Sequence, residues 1–199
     1  MEGIAENVRS AAEEFDRIER DRELAVARSR RVIRLSKRVI HAVHVGEDRG
    51  GYLGEMRQAL DELLSAETPE VLVSAVVQDA MMEYAEASIL ESIVSEGRVP
   101  SGSDLGVTAP AWVLGLGDCV GELRRIVTAR LMDGDMEGAR RFFSVMEEVS
   151  GEFMQLDVPD AIAPVRRKQD VVRGIMDRTR SDMTTASVMG LGRETRETH

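Results

Sequence analysis

Five prolines divide this chain into long segments without strand patterning. The prolines are Pro69, Pro100, Pro110, Pro159 and Pro164, and the segments that they separate are rich in Ala, Leu, Glu, Arg and Met. These residues are strong helix formers. No segment alternates apolar and polar residues as a half-buried strand does. The sequence therefore predicts an all-α protein.

The helix boundaries follow from capping and turn signals. Thr68 and Pro69 predict a helix start, because threonine caps a helix and proline suits its first position. Residues 97–104 and Asp133–Asp135 are rich in turn formers and predict connections. The predicted helices cover 3–45, 49–65, 69–97, 109–132, 135–156 and 164–181.

Helices joined by such short connections predict one antiparallel bundle of about six to seven helices. The length of 199 residues suits a single domain, which we place at residues 1–182. Residues 183–199 lose the apolar periodicity and end in mixed charge. We expect this C-terminal tail to fray.

Composition restricts the kind of partner. Aromatic residues make up 4% of the chain, so base stacking is not its main way of holding a ligand. The net charge of −10 argues against indiscriminate polyanion binding by the whole surface. The single cysteine, Cys119, fits a reducing cytoplasm. Neither a signal peptide nor an apolar run of the roughly 18–20 residues that span a membrane is evident, and we expect a soluble cytoplasmic protein.

One predicted helix carries segregated positive charge. Six basic residues and no acid lie between residues 28 and 38. At about 100° per residue, Arg30, Arg34, Lys37 and His41 share one line, with Arg31 and Arg38 beside it. Val32, Leu35, Val39 and Val43 occupy the opposite face. The pattern predicts an amphipathic helix with a uniformly basic outer face.

A second basic cluster lies near the C-terminus. It comprises Arg166, Arg167, Lys168, Arg173, Arg178 and Arg180, among which the acids are Asp170 and Asp177. Both clusters have two interpretations. Either they are solvated helix faces that pair with acids elsewhere, or they track the phosphates of a nucleic acid.

Four acids stand in segments that are otherwise apolar. Glu83 and Glu86 are spaced i,i+3, and Asp118 and Glu122 are spaced i,i+4, so each pair shares one helix face. Asp79 lies one turn before Glu83. Because unpaired buried carboxylates are costly, four that converge would require a cation. Carboxylate ligands suit Mg²⁺ or Mn²⁺.

Other interpretations of these acids remain open. A di-iron centre would need histidines beside them, and we expect His41, His44 and His199 to lie far away. The acids could instead pair with arginines such as Arg124 and Arg125 at helix interfaces. Glycines at 115, 117 and 121 would let another helix or a substrate approach closely.

Taken in order, four stretches resemble the translin family, which comprises translin, translin-associated factor X and their archaeal homologues. They are the basic helix ending at residues 39–47; Glu-Tyr-Ala-Glu-Ala at 83–87; residues 112–123 with Asp-Gly-Asp at 133–135; and Val-Arg-Arg-Lys-Gln-Asp-Val-Val-Arg at 165–173. The resemblance covers roughly residues 20–182.

The resemblance implies an all-α protein of about seven helices that forms a hollow octamer and binds single-stranded RNA or DNA. In the factor X branch, a Glu-x-x-Glu pair and an aspartate act with Mg²⁺ in endoribonuclease cleavage. By motif, Glu83, Glu86 and Asp118 match that set, and Glu122 matches the following Gly-Glu-Leu glutamate. A related partner subunit is an open possibility.

The sequence thus predicts a Mg²⁺-dependent endoribonuclease that acts on single-stranded RNA. Its predicted nucleic-acid contacts are Arg30, Arg34, Lys37, Arg38, His41, Arg166, Arg167 and Lys168, and its predicted metal ligands are Glu83, Glu86, Asp118 and Glu122. Two rivals remain: a translin-like binding oligomer without catalysis, and a helical adaptor with no role in nucleic-acid binding.

Overall fold

The computed structural model describes residues 3–66 and 68–197. In these residues it contains six long helices, two one-turn helices and no strand. The helices are α1 (Ile4–Val45), α2 (Gly50–Ala66), α3 (Pro69–Leu72), α4 (Ala75–Ser95), α5 (Gly102–Leu105), α6 (Ala109–Met132), α7 (Met136–Phe153) and α8 (Val165–Glu197). The predicted all-α bundle is confirmed.

Two predicted elements differ from the structure in the middle of the chain. The helix predicted over 69–97 is divided into α3 and α4, because Ser74 takes an extended backbone conformation and starts a new helix. The predicted loop at 97–104 contains the start of α5. A capping box, in which Ser101 and Asp104 satisfy each other's backbone amides, stabilises this turn.

The C-terminal helix is longer than predicted. We expected α8 to end near residue 181 and residues 183–199 to fray, whereas the helix continues to Glu197. No proline follows Pro164 to interrupt its hydrogen bonds, and Met183 still packs into the core. Residues 198 and 199 lie outside the described residues. The domain boundary at 182 stays a prediction.

Helices α4 and α6 form the centre of the bundle. Helix α4 packs between α1 and α6, α6 also lies against α7 and α8, and α2 packs on α1. Because α4 has neighbours on several sides, its buried residues surround most of its circumference. The glutamates of α4 therefore stand out as polar groups in an apolar environment.

The two halves of α1 have different surroundings. In the second half, Val32, Leu35, Val39 and Val43 are buried as predicted. In the first half, all residues from 3 to 20 are exposed. Its large apolar side chains, Ile4, Val8, Phe15, Ile18 and Leu24, are between 52% and 70% exposed. We call residues 4–24 the projecting arm. No helix within the described residues is long and apolar enough to cross a membrane.

Glycines allow the close contact between α4 and α6. A Cβ atom at Gly115 would lie 2.6 Å from the carbonyl oxygen of Met82 and 2.9 Å from the amide nitrogen of Glu86. Both are backbone atoms that cannot move aside. The start of α6 is fixed nearby, because the Thr108 hydroxyl donates a hydrogen bond of 2.6 Å to Gln78 on α4. This contact brings the acidic pairs of the two helices together.

We predict that Gly115→Ala lowers the free energy of unfolding by about 1–3 kcal/mol, because the added methyl group forces α4 and α6 apart. Gly121→Ala is the matched control in the same helix. Its Cβ would lie 3.8 Å from its nearest neighbour, a side-chain carbon of Ile175. It should leave stability unchanged or raise it by up to about 1 kcal/mol. Urea unfolding of both variants measures this, and equal effects would contradict the close-approach argument.

Candidate functional site

Three helices enclose a cleft of about 320 Å³ that carries three of the four predicted metal ligands. Helix α1 contributes Lys37, Ile40 and His41, α4 contributes Glu83 and Glu86, and α6 contributes Glu122 and Arg125. We call it the acidic cleft. Residues 83 and 86 lie one turn apart on α4, as their spacing predicted, and the α4–α6 contact sets Glu122 opposite them.

Glu86 is the acid with the most unusual environment. Its side chain is partly buried and makes no hydrogen bond or ion pair with any described residue. Burial, and after it the negative charges of Asp118, Glu83 and Glu122, raise the pKa of Glu86 to about 8, while Lys168 opposes the rise. These interactions show that the four carboxylates lie within mutual electrostatic reach. They form one concentrated negative site.

Glu83 faces the basic line of α1. Its carboxylate is 3.9 Å from Nζ of Lys37, a residue of the basic line on α1. Burial raises the pKa of Glu83, Lys37 lowers it, and the charges of Asp118 and Asp79 raise it further. Glu83 thus connects the basic helix to the acidic cleft.

Asp118 is held by a lysine from α8. The Nζ atom of Lys168 donates a hydrogen bond of 2.6 Å to Asp118 Oδ1. Gly117 makes this possible, because a Cβ there would lie 2.6 Å from Cγ of Lys168. Asp118 does not line the cleft itself, although its charge acts on Glu86. Lys168 was predicted as a nucleic-acid contact, and the structure gives it an acid of the site as partner.

Glu122 is held by two cationic or polar donors at one oxygen. Nε2 of His44 lies 2.5 Å from Glu122 Oε2, and Nη1 of Arg125 donates to the same atom at 2.8 Å. The hydrogen bond from His44 lowers the pKa of Glu122, and Arg125 lowers it further. Glu122 is therefore kept ionised beside Glu86.

The histidine prediction was wrong for two of the three residues. We expected His41 and His44 to lie far from the acids, whereas His41 lines the cleft and His44 contacts Glu122. His41 and His44 are distant from the acids in the sequence, and only the packing of α1 brings these histidines to the cleft. Their i,i+3 spacing at the edge of the amphipathic face of α1 was the available signal. His199 lies outside the described residues.

The predicted basic residues fall into two groups. Arg30 and Arg34 are exposed and make no ion pair with any described residue, and Lys37 and His41 continue their line into the cleft. Other basic residues already have partners away from the cleft. Arg38 stacks on the Tyr52 ring, with 4.5 Å to the ring centroid. Arg31 pairs with Glu62, and Arg166 pairs with Asp157. Arg167 is exposed. The predicted C-terminal cluster reaches the site through Lys168.

The donor chemistry of the acidic cleft fits a hard divalent cation. Glu83, Glu86 and Glu122 are oxygen donors around one cleft, and their mutual repulsion, felt at Glu86, is what such an ion would relieve. In the side-chain arrangement of the described residues, no three His, Cys, Asp or Glu groups form a ready-made metal cluster. Because Lys168 binds Asp118 at Oδ1, Asp118 would hold the ion by its other oxygen. The assignment of the four acids as ligands stays a prediction.

Comparisons with known proteins agree with this fold. The Translin family model matches residues 8–179. An uncharacterized protein of Methanocaldococcus jannaschii is 30% identical over 169 residues, which is 82% of this chain and 75% of that protein. A crystal structure of AfC3PO superposes with a TM-score of 0.82 at 31% identity, covering 93% of this chain and 99% of its own. A structure of the complex of AfC3PO with duplex RNA superposes with a TM-score of 0.82 at 28% identity, covering 93% of this chain and 98% of its own. Apo-NeC3PO superposes with a TM-score of 0.79 at 26% identity, covering 90% of this chain and 97% of its own.

We predict that Glu86→Gln changes how stability depends on pH in metal-free protein. The folded wild type keeps the Glu86 proton up to a pKa of about 8, whereas the unfolded chain releases it near 4.5. Wild-type stability contributed by this group is thus present below pH 4.5 and lost as pH rises towards 8. Glu86→Gln has no ionisable group at this position, so its stability does not fall in this way as pH rises.

The free energy of unfolding of Glu86→Gln, relative to wild type, should therefore rise by about 1–3 kcal/mol between pH 5 and pH 8. Urea unfolding in EDTA at several pH values measures it. Glu55→Gln, at an exposed position on α2, is the control and should follow the wild-type profile. Parallel profiles for all three proteins would show that Glu86 titrates as an ordinary carboxyl.

Proposed function

This chain belongs to the translin family, and on that premise we propose that it binds single-stranded RNA and hydrolyses it with Mg²⁺ or Mn²⁺ in the acidic cleft. One observation carries the proposal: the basic line of α1 runs into the cleft that holds the carboxylates. Positive charge that binds phosphates and negative charge that binds a cation thus meet at one place. The complex of the similar AfC3PO with duplex RNA supports nucleic-acid binding.

The basic line of α1 supplies the phosphate contacts in this proposal. Arg30 and Arg34 are exposed and unpaired among the described residues, so their charge is available to a backbone that passes along α1. Lys37 and His41 continue the path at the cleft wall. Such contacts carry little sequence preference, because they read charge and not base edges. We therefore propose a binder of single strands with slight sequence preference.

The residues of the cleft have distinct tasks in hydrolysis. A divalent cation held in the cleft would polarise a scissile phosphate and make a coordinated water more acidic. Glu83, Glu86, Asp118 and Glu122 would hold the ion directly or through water. Glu86 is the proposed general base, because it lines the cleft without a hydrogen-bond or ion-pair partner among the described residues, and such a carboxylate can accept the proton of a water molecule. Lys37 would orient the phosphate beside Glu83.

The projecting arm supports a homo-oligomer, which the family resemblance implies to be an octamer. A lone helix in water is marginally stable, and the arm exposes Phe15 and Ile18 at 70% and 54%. Ile4, Val8, Ala11, Phe15 and Ile18 follow spacings of four and three residues, which is the pattern of a helix that packs against another helix. We propose that the arm packs on a second copy of this chain in the cytoplasm.

One alternative function has its own support. Three of the four acids pair with basic groups, Glu83 with Lys37, Asp118 with Lys168, and Glu122 with His44 and Arg125. Such pairing is what a structural role would require. The chain would then bind single-stranded nucleic acid without cleaving it. Metal dependence separates the two candidates, and a failure to bind RNA at any salt concentration would favour a helical adaptor.

We predict that the wild type cleaves an end-labelled single-stranded RNA with Mg²⁺ and not with EDTA. Glu86→Gln and Asp118→Asn should each reduce the cleavage rate at least 100-fold, since they remove a proposed base or ligand. Both should still bind the RNA in a fluorescence anisotropy assay. Glu55→Gln, remote on α2, is the control and should cleave at the wild-type rate. RNA binding without cleavage by any protein would establish the non-catalytic alternative.

We also predict that Phe15→Glu combined with Ile18→Glu lowers the oligomer mass measured by light scattering. The substituted residues face solvent in the single chain, so the far-UV circular dichroism of the folded bundle should persist. Glu14→Gln together with Glu19→Gln, on the same exposed arm, is the control and should leave the mass unchanged. An unchanged mass in the Phe15 and Ile18 variant would exclude the arm from the interface.

A further inference from the structure

We propose that His44, together with Arg125, is a positioning residue that holds Glu122 by one carboxylate oxygen and leaves the other for a divalent cation in the acidic cleft. This inference rests on the proposed function and deepens it. It assigns a task to a histidine that lies beside the site without lining the cleft.

The geometry at Glu122 is asymmetric. His44 Nε2 and Arg125 Nη1 both contact Oε2, at 2.5 Å and 2.8 Å. Oε1 accepts no hydrogen bond from any described residue, and the Glu122 side chain lines the cleft. Two donors on one oxygen fix the plane of the carboxylate. The unoccupied oxygen is therefore held in place before any ligand binds.

Asp118 shows the same arrangement on the same helix. Lys168 of α8 donates to Oδ1, and Oδ2 receives no hydrogen bond from the described residues. Each acid of α6 is thus held at one oxygen by a side chain from another helix, His44 from α1 and Lys168 from α8. Carboxylates that bind metals are commonly fixed by hydrogen bonds of this kind.

A purely structural role for His44 would require only that its ring nitrogen have a hydrogen-bond partner. The His44 side chain is 11% exposed, so burial alone explains why its ring nitrogen has a partner. Burial does not require that the partner be an acid of the cleft, already bound by Arg125 at the same atom. The shared oxygen favours positioning of Glu122, and the two roles predict different effects on cation binding.

The test measures Mn²⁺ binding to the full chain by electron paramagnetic resonance, without RNA and at one pH. His44→Leu should weaken Mn²⁺ binding 10- to 100-fold, the range usual for loss of a group that orients a ligand. His44→Gln keeps an amide donor and should recover most of the affinity. In RNA cleavage, His44→Leu should raise the Mn²⁺ concentration needed for half-maximal rate and leave RNA affinity unchanged.

Arg49→Leu is the matched control. It breaks a comparable ion pair, in which Arg49 Nε lies 3.2 Å from Glu91 Oε1 with side chains 23% and 16% exposed. It should destabilise the fold to a similar extent and leave Mn²⁺ affinity at the wild-type value.

Three results would overturn the inference, and they are distinguishable. Equal Mn²⁺ affinity in the wild type and His44→Leu removes the role of His44 and leaves the proposed function standing. Equal weakening of Mn²⁺ binding by His44→Leu and Arg49→Leu shows that the effect comes from lost stability and not from the position of Glu122. No Mn²⁺ binding by the wild type rejects the metal-dependent function together with the inference.

Discussion

The close approach of α4 and α6 is the constraint on which the site depends. Gly115 lets the backbone of α6 lie against the carbonyl of Met82 and the amide of Glu86, and Thr108 fixes the start of α6 to Gln78. Since both helices are rigid over the segments concerned, this contact determines where their acidic side chains stand. A bulkier residue at position 115 would separate the pairs even if every acid were retained. The absence of a side chain at position 115 therefore determines the geometry of the site as much as the carboxylates do.

The contact between α4 and α6 concentrates negative charge, and basic side chains, most of them from neighbouring helices, balance part of it. Lys37 from α1 faces Glu83, Lys168 from α8 binds Asp118, and His44 and Arg125 bind Glu122. Each of these groups is polar or cationic and lies at the edge of the cluster. Glu86 has no partner among the described residues, and burial together with the neighbouring negative charges raises its pKa to about 8. Glu86 therefore keeps its proton near neutral pH, which gives it chemistry different from that of its neighbours.

The sequence predicts the parts of this structure that depend on local spacing. The all-α fold follows from the helix-forming composition. The burial of Val32 and Val39 and the shared face of Glu83 and Glu86 follow from a period of 3.6 residues. It does not predict what depends on distant contacts: the meeting of His44 with Glu122, 78 residues away, or of Lys168 with Asp118, 50 residues away. The end of α8 was also misjudged, because loss of apolar periodicity shows where a helix leaves the core and not where its hydrogen bonds stop.

The basic side chains beside the acids interact with any ligand that enters the acidic cleft. A divalent ion that enters the cleft meets side-chain charges already in place, among them Lys168 at Oδ1 of Asp118. An ammonium group released from Asp118 would remain tethered to α8, next to a ligand that brings its own negative phosphates. Under the proposed function, Lys168 would therefore pair with an acid in the free protein and with a phosphate in the complex. Its two assignments, as structural partner and as nucleic-acid contact, would then describe two states of one side chain. The same exchange is open to Lys37, whose 3.9 Å separation from Glu83 marks a weak pair that an RNA backbone passing along α1 would readily replace.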